Sequence, residues 1–330
     1  MKILHIVPSL NNPTNGIAVA AKMIARQQGG EFFDCSDCSI VRLGDYDEVW
    51  VHSMWLPRTL LACWRVLRAG VPLVRMPHGC MDPVRLRYHG WKKWLVGPIE
   101  RWCLRRCDRI VATCEAEKGW IEKYLGKRCP AVEVTDIKRF FKLVSGGVES
   151  GGVAKNSQLI THNTQLHLLY LGRQHPLKGL EYLEEAVKEL VVSRQSLVVS
   201  EKDLTKSKRE TRNTKPETRN IELKIVSNAF GEELEKVWDW CDVLVLPTLS
   251  ENFGLVVAEA LERGKRVITT DGAPAWEEGL SRVERVDRVE GELWSGYGWQ
   301  LIYLKGYRDG TDEERVELLK RGISFLAVKV

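Results

Sequence analysis

The sequence predicts an α/β fold made of two domains, each built on a parallel, doubly wound sheet. Short apolar runs alternate with helical stretches along most of the 330 residues, as they do where helices cover both faces of a parallel sheet. The alternation fails between about Phe140 and Gln165 and then resumes. We therefore expect domains over residues 1–140 and 166–330, joined by a flexible linker over 141–165.

The first domain opens with an apolar strand that ends at Pro8, followed by a loop and a helical segment from Ile17 to Gln28. This order is typical of Rossmann-like domains. Gly16, at the start of the helix, could place a backbone N–H group against a ligand, although a single glycine is a weak signal. The strand and helix pairs that follow are predicted at Glu48–His52 with Pro57–Ala69, Pro72–Met76 with Trp94–Arg105, and Arg109–Thr113 with Glu115–Leu125.

The second domain repeats this architecture. Its polar stretch Ser200–Asn220 cannot bury apolar surface and is predicted to be a disordered surface loop. Acidic residues are interleaved with the loop's cations and no aromatic residue is available for base stacking, so we expect no nucleic-acid partner. The other predicted elements are the strands Leu166–Leu171, Leu223–Val226, Val243–Pro247 and Arg266–Thr269 and the helices Gly179–Val192, Glu232–Trp240 and Asp312–Leu326.

Composition favours a cytoplasmic location. The formal net charge is only +5, which does not indicate a general polyanion binder. Nine scattered cysteines fit a reducing compartment. Cys35 and Cys38 form one C-x-x-C pair, but no partner pair at zinc spacing follows, so we interpret them as structural. No apolar run reaches the roughly 18 residues of a membrane span.

The stretch Glu251–Glu259, E-N-F-G-L-V-V-A-E, predicts a phosphate-binding loop. It follows an apolar strand and leads into a helix that begins near Gly254. A helix N-terminus carries unpaired N–H groups and partial positive charge, and a glycine there lets an anion approach the backbone. Glu251 and Glu259 flank the site, and their carboxylates can accept hydrogen bonds from sugar or ribose hydroxyls. The alternative, on these residues alone, is an acidic helix start with an exposed glutamate.

Two cations follow the first strand of the second domain. Arg173 comes directly after that strand and Lys178 lies at the start of the next helix, so both can reach one position. A guanidinium and an ammonium together suit a pyrophosphate and stabilise the negative charge that develops when a nucleoside diphosphate departs. The alternative is a pair of solvated surface cations.

Several segments occur in the order that one enzyme family uses. They are H-S-M-W-L-P at His52–Pro57, P-H-G-C-M-D-P at Pro77–Pro83, L-G-R-Q-H-P-L-K-G-L at Leu171–Leu180 and V-L-V-L-P-T-L-S-E-N-F-G-L-V-V-A-E-A-L-E at Val243–Glu262. Together they resemble the retaining glycosyltransferases of family 4, in particular bacterial enzymes of surface-polysaccharide and lipopolysaccharide synthesis. The resemblance implies the GT-B fold, in which two Rossmann-like domains face a cleft.

The resemblance also implies a donor site for a nucleotide-diphosphate sugar. Arg173 and Lys178 would hold the diphosphate and assist its departure. Glu259 would accept the ribose hydroxyls, and Glu251 would contact hydroxyls of the donor sugar. Backbone N–H groups of the loop and helix start would support sugar and phosphate; they belong to Phe253, Gly254, Leu255 and Val256.

From the first domain, His78 in the P-H-G turn would face the donor sugar, and Gly16 would lie in a loop that closes over the phosphates. Without the resemblance, a histidine after a strand is more often structural. Family members need no dedicated metal site or other cofactor, and no D-x-D motif follows the carboxyl end of a predicted strand.

The implied reaction is metal-independent, retaining hexosyl transfer to a glycan or lipid-linked acceptor, by front-face attack with the departing phosphate taking the proton. Two alternatives remain open: a sugar-nucleotide epimerase of the same fold, and a catalytically silent nucleotide-sugar-binding protein. Two departures from the family pattern are the reason that the silent binder remains an alternative. Val132–Ile137 lacks the Asn-Gly of the family's usual turn, and Asn15-Gly16 stands where two glycines are frequent.

The segment 88–109 combines tryptophans with cations. Its apolar residues recur every three or four positions, which predicts a helix with one apolar face. Such a helix can lie on the anionic inner surface of the plasma membrane as a peripheral contact. The alternative is a helix that turns this face into the core and leaves a basic edge in solvent.

Overall fold

The computed structural model describes residues 1–12, 15–37, 41–88, 90–135, 165–202, 220–227, 229–277, 280–282, 293–296 and 300–328. The chain divides into two compact units, which are Met1–Phe140 with Ser250–Leu255 and Phe141–Leu249 with Val256–Val330. Each unit contains a mainly parallel sheet with helices, so the predicted α/β fold class is confirmed. Of the predicted linker, only Gln165 lies within the described residues, and it begins a strand.

The first unit contains six parallel strands in the order β2-β1-β3-β4-β5-β6. The strands are β1 Ile3–Val7, β2 Glu31–Asp34, β3 Glu48–His52, β4 Leu73–Met76, β5 Arg109–Ala112 and β6 Ala131–Val134. The helices are α1 Gly16–Gln28, α2 Pro57–Ala69, α3 Pro83–Arg87, α4 Gly90–Leu104 and α5 Glu115–Leu125. The order reverses at β1, and ligands of doubly wound sheets bind beyond the strand ends at such a reversal.

Local chemistry explains the first helix. The Asn15 side chain accepts a hydrogen bond from the Ile17 backbone N–H at 3.2 Å, which caps the helix start. The helix ends at Gly29, whose φ of 67° is left-handed. Small residues such as Ala21 are buried against the sheet. Capping and spacing together therefore specify α1 from its own sequence.

The edge strands β2 and β6 were not predicted. They are four residues long, and most of their side chains are exposed or only half-buried. A strand with one partner needs no continuous apolar run, which removes the signal that identifies central strands. The family-departing segment Val132–Ile137 lies partly in β6, and its residues 136 and 137 lie outside the described part.

The second unit contains seven strands in the order β11-β12-β13-β10-β9-β7-β8, with β11 and β12 antiparallel to their neighbours. The strands are β7 Gln165–Leu171, β8 Asn220–Val226, β9 Val243–Leu246, β10 Arg266–Thr270, β11 Ser281–Arg282, β12 Leu293–Gly296 and β13 Leu301–Leu304. The helices are α6 Leu180–Lys202, α7 Glu232–Trp240, α8 Leu255–Glu262 and α9 Asp312–Val328.

The predicted loop 200–220 is too long at both ends. Helix α6 runs ten residues past the predicted end at Val192 and includes Ser200, because no glycine or proline interrupts it. Asn220 already belongs to β8. The rest of that prediction, residues 203–219, falls outside the described residues.

Helix α4 exposes the apolar face that the sequence identified. Trp91 and Trp94 are 64% and 78% exposed. The opposite face is buried and includes Glu100, which forms an ion pair with the buried Arg75 at 3.1 Å. The other exposed apolar residues of the face are Leu95, Ile99 and Trp102. The interpretation that this face packs into the core is therefore wrong. None of the helices in the described part of the chain has the length and apolarity that crossing a membrane requires.

Candidate functional site

Two loops meet at one edge of the second sheet. The carbonyl oxygen of Leu177 accepts hydrogen bonds from the Leu249 backbone N–H at 2.9 Å and the Thr248 hydroxyl at 3.1 Å. Leu177 belongs to a single 3₁₀ turn, Pro176–Lys178, in the loop after β7. Thr248 and Leu249 lie in the loop after β9. The two loops lie at the same edge because they follow parallel strands. The hydrogen bonds fix the loop that carries Lys178 against the loop after β9.

The two predicted diphosphate-binding cations both lie on the loop after β7. Arg173 is exposed and Lys178 is half-buried. The Arg173 carbonyl oxygen accepts a hydrogen bond from the Tyr170 hydroxyl at 2.8 Å, which holds the start of the loop. Among the described residues, Arg173 forms no ion pair, so its guanidinium can meet an anion. The sequence placed both residues at this strand end, and the structure agrees.

Helix α8 begins at Leu255, one residue after the predicted start at Gly254. Gly254 has a left-handed φ of 71°, a conformation that favours glycine. Phe253 and Gly254 are buried, whereas Leu255 and Val256 are half-buried. The first-turn N–H groups of a helix have no partner within the helix. The helix start therefore has the backbone geometry that an anion site needs.

Glu259 lies one turn into α8. Burial raises the pKa of its carboxyl group, and Arg263 opposes that shift. Within the described part of the chain, the carboxylate accepts no hydrogen bond from another side chain. A half-buried carboxylate without such a partner is stabilised when it accepts hydrogen bonds from the hydroxyl groups of a ligand.

His78 follows β4 in a strained turn of the first unit. Its φ is +55° and that of Gly79 is +73°. The turn is held by Glu117, which accepts a hydrogen bond from the Gly79 backbone N–H at 2.5 Å. The same carboxylate accepts bonds from the Thr113 backbone N–H at 2.8 Å and hydroxyl at 2.7 Å. Burial raises the pKa of Glu117, and these hydrogen bonds oppose the rise.

Glu251 is paired with Arg85, which sequence reasoning missed. Both belong to the first unit, and Arg85 Nη2 lies 3.8 Å from Glu251 Oε1. The Arg85 Nε–H also donates to the Ser250 hydroxyl at 3.0 Å, and that hydroxyl donates to Asp82 at 2.6 Å. Glu251 thus has a positively charged partner, and its carboxylate oxygens can accept hydrogen bonds from hydroxyl groups. The only sequence signal for Arg85 was its place just after the P-H-G turn.

Gly16 is the first residue of α1 and is exposed. A Cβ atom at this position would meet nothing within 4 Å, so packing does not require glycine here. The two residues that precede Asn15 lie outside the described residues, and the predicted closing loop is described only in part.

Three buried imidazoles form a chain that ends at His78. His78 Nε2 lies 2.8 Å from His52 Nδ1, and His52 Nε2 lies 3.0 Å from His5 Nδ1. Burial lowers the pKa of His5 to about 4 and that of His78 to about 3, and it lowers the pKa of His52 as well. We refer to these residues as the histidine chain. Because these histidines lie far apart in the sequence, no local pattern predicts the histidine chain.

The chain matches two family models. Residues 16–135 match the glycosyl transferase 4-like domain, and residues 165–286 match the glycosyl transferases group 1 model. The two matches cover most of both units and include every predicted site residue. A comparison with curated protein sequences found no match.

Solved structures with this fold include several sugar-phosphate synthases. Sucrose-phosphate synthase from Thermosynechococcus elongatus is 13% identical, with a TM-score of 0.56 over 98% of this chain and 90% of that one. The α,α-trehalose 6-phosphate synthase of Burkholderia multivorans is 12% identical, with a TM-score of 0.56 over 98% and 89%. The E. coli trehalose-6-phosphate protein bound with UDP-2-fluoro glucose is 13% identical, with a TM-score of 0.56 over 98% and 91%. At these identities the likeness is one of fold.

Proposed function

We propose a reaction for this chain, which belongs to the GT-B glycosyltransferases of the glycosyl transferase 4-like and group 1 family. It transfers a sugar from a nucleotide-diphosphate sugar to a glycan or lipid-linked acceptor, with retention at the anomeric carbon. The pathway we propose is the synthesis of cell-surface polysaccharide or lipopolysaccharide. One of the structural neighbours holds a UDP-sugar analogue, which supports this class of donor.

The observation that carries the proposal is the fixed backbone of the loop that carries Lys178. Its loop is hydrogen-bonded through Leu177 to the loop after β9, so the backbone from which its side chain extends is held in place before any ligand binds. Arg173, on the same loop, adds a second positive charge. Cations on a loop that is already in place need less reorganisation to stabilise the charge of a departing diphosphate. These two residues are our candidates for leaving-group stabilisation.

Glu259 is our candidate for the ribose. Burial raises the pKa of its carboxyl group, and the carboxylate accepts no hydrogen bond from another side chain in the described part of the chain. Both observations support a role in accepting hydrogen bonds from the ribose hydroxyls. Glu251, with its charge balanced by Arg85, is our candidate for the donor-sugar hydroxyls. Backbone N–H groups from Phe253 to Val256 would complete the phosphate contacts.

The proposed transfer takes place on one face of the sugar. The bond from the anomeric carbon to the diphosphate oxygen breaks as the acceptor oxygen bonds to the same carbon. The acceptor's proton passes to the departing phosphate oxygen. The protein's part is to position the substrates and to stabilise the leaving group. Arg173 and Lys178 supply that counter-charge, so the proposed reaction requires no metal ion.

We further propose that α4 docks the protein on an anionic membrane. Its exposed apolar face ends at a shallow cavity of about 620 Å³ whose lining is rich in arginine. The Arg106 guanidinium lies 4.4 Å from the centre of the Trp102 ring, and Arg101 lies 4.4 Å from that of Tyr124. The residues lining the cavity are Pro98, Arg101, Trp102, Arg105, Arg106 and Arg128.

No carboxylate among the described residues pairs with the four arginines of this cavity. Their charge is therefore available to anionic headgroups while the tryptophans enter the interface. This arrangement supports an acceptor held in the membrane, and a cytoplasmic protein bound to the inner face of the plasma membrane.

Incubation with a panel of nucleotide-diphosphate sugars tests the reaction. We expect one donor to raise the melting temperature and to release its nucleoside diphosphate slowly, and faster when membrane extract supplies an acceptor. Stabilisation without release in the presence of extract would favour the silent binder, and a changed sugar with the nucleotide still attached would favour the epimerase. If no nucleoside diphosphate stabilises the protein, the proposed donor class is wrong.

A further inference from the structure

The histidine chain joins three elements of the first unit. His5 lies within β1, His52 ends β3, and His78 follows β4. All three side chains are buried, and neighbouring rings are separated by 3.0 Å and 2.8 Å between the bonded nitrogens. Among the described residues, Nε2 is the only nitrogen of His78 that is hydrogen-bonded to another side chain. Nδ1 is therefore the nitrogen that a ligand can use.

The lowered pKa values of the three imidazoles favour the neutral form, which carries one proton on each ring. Burial disfavours a positive charge at all three positions, and Arg75 and Arg85 lie close enough to disfavour it further at His52 and His78 respectively. A neutral imidazole has one N–H donor and one acceptor nitrogen. Three neutral rings in series can therefore have their protons in only two arrangements, all on Nε2 or all on Nδ1.

Gln28 decides between the two arrangements. His5 Nε2 and Gln28 Oε1 are both buried, and neither atom has a hydrogen-bond partner within the described part of the chain. The Gln28 side chain nevertheless raises the pKa of His5 and so opposes the effect of burial, as an oxygen acceptor that faces the ring does. A buried oxygen acceptor with no other partner favours the proton of His5 on Nε2, because the N–H group there can satisfy both atoms. His5 Nδ1 then accepts from His52, and His52 Nδ1 accepts from His78.

We propose that Gln28, His5 and His52 are positioning residues that hold His78 with its proton on Nε2, so that its Nδ1 accepts a hydrogen bond from a hydroxyl of the bound substrate. The chain fixes the tautomer, and it also anchors a ring whose backbone has the unfavourable φ of +55°. That the hydroxyl belongs to a sugar rests on the proposed function. The tautomer itself does not.

The direct test is the tautomeric state of each histidine. Long-range ¹H–¹⁵N correlation spectra of protein labelled in its imidazole rings distinguish Nε2–H from Nδ1–H rings, and single His→Phe variants assign the signals. At pH 7 we expect His5, His52 and His78 all to be neutral with the proton on Nε2. Finding His78 with its proton on Nδ1, or as imidazolium, would overturn the proposal.

A matched set of substitutions tests the direction of the chain. Gln28→Glu keeps an oxygen acceptor facing His5 and should leave all three tautomers unchanged. Gln28→Lys supplies a donor instead and should move the three protons to Nδ1. Gln27→Lys adds the same charge at an exposed neighbouring position and should change nothing. Unchanged tautomers in Gln28→Lys would contradict the role of Gln28.

Kinetics provides a separate measurement. In Gln28→Lys, we expect kcat for sugar transfer to fall about tenfold, the effect of losing one buried hydrogen bond, with Gln27→Lys at the wild-type rate. An unchanged kcat together with reversed tautomers would refute the substrate contact. If the wild-type protein transfers no sugar, the proposed function fails while the spectra still decide the tautomer. If Gln28→Lys does not fold, the wild-type spectra alone test the proposal.

Discussion

A Cβ atom on Gly179 would lie 2.1 Å from the carbonyl oxygen of Pro247. Gly179 ends the 3₁₀ turn that carries Lys178 and has a left-handed φ of 61°. The close approach lets this turn dock on the loop after β9. The position of the turn that carries Lys178 thus depends on a residue that has no side chain.

We predict that Gly179→Ala disrupts the donor site. The clash with Pro247 must displace one of the two loops, and the left-handed φ adds roughly 1–2 kcal/mol of strain. We expect a loss of more than 2 kcal/mol in the free energy of unfolding, measured by chemical denaturation, together with loss of nucleoside diphosphate binding. Gly264→Ala is the control, because Gly264 has a φ of 69° but open space around it. It should lose only the roughly 1–2 kcal/mol of stability that the backbone strain costs, and it should keep binding.

Lys178→Ala and Glu259→Ala should weaken nucleoside diphosphate binding for different reasons. The first removes a charge-assisted contact, and we expect the Kd to rise roughly tenfold to hundredfold by calorimetry. The second removes the proposed acceptor of the ribose hydroxyls, so it should weaken a nucleoside diphosphate but leave inorganic pyrophosphate unaffected. Lys188→Ala, at an exposed position on α6, is the control. Wild-type affinity in Lys178→Ala would remove that residue from the site.

The buried histidines should make the protein less stable in acid. Burial lowers the pKa of His5 from 6.5 to about 4, so between these values the unfolded chain binds a proton that the folded chain does not. The stability that His5 contributes is therefore complete above pH 6.5 and is lost as the pH falls toward 4. At pH 5 the loss for one such group is roughly 2 kcal/mol.

His5→Phe isolates this effect. It is expected to lower the stability at pH 7 through the lost hydrogen bond to His52. The fall in unfolding free energy between pH 7 and pH 5 should nevertheless be smaller than in the wild type by roughly 2 kcal/mol. Carboxyl groups with raised pKa values, such as Glu117, act in the opposite sense but contribute equally to both proteins. Parallel pH profiles would mean that His5 is not kept neutral by the fold.

The exposed face of α4 should bind anionic vesicles. We expect the wild type to cosediment with vesicles containing phosphatidylglycerol, and less so with pure phosphatidylcholine or at high salt. A Trp91→Ser and Trp94→Ser double variant should bind about tenfold more weakly. Phe230→Ser, which removes a half-exposed aromatic residue from the second unit, should bind normally. Equal binding by the double variant would eliminate this face as the docking surface.

Much of the fold could be predicted because local signals specify it. The bounds of β3, α2, α5 and α7 agree with the prediction to the residue, since apolar runs, helical spacing and Gly or Pro boundaries all lie within a few residues of each other. Strand ends also located Arg173 and Lys178, because loops after parallel strands share one edge. Family motifs gave the order of the segments and the class of enzyme.

The partners of the site residues were decided by the tertiary structure alone. Glu117 lies 38 positions from Gly79 and His52 lies 26 positions from His78, and no local spacing announces such a pair. Likewise, periodicity identified the apolar face of α4 but not the direction in which it points, which depends on the buried pair of Arg75 and Glu100. Local propensities and apolar periodicity act over a few residues, so the sequence determines the elements. Hydrogen bonds and buried charges are completed only when distant strands come together, and packing therefore decides which side chains hold the site.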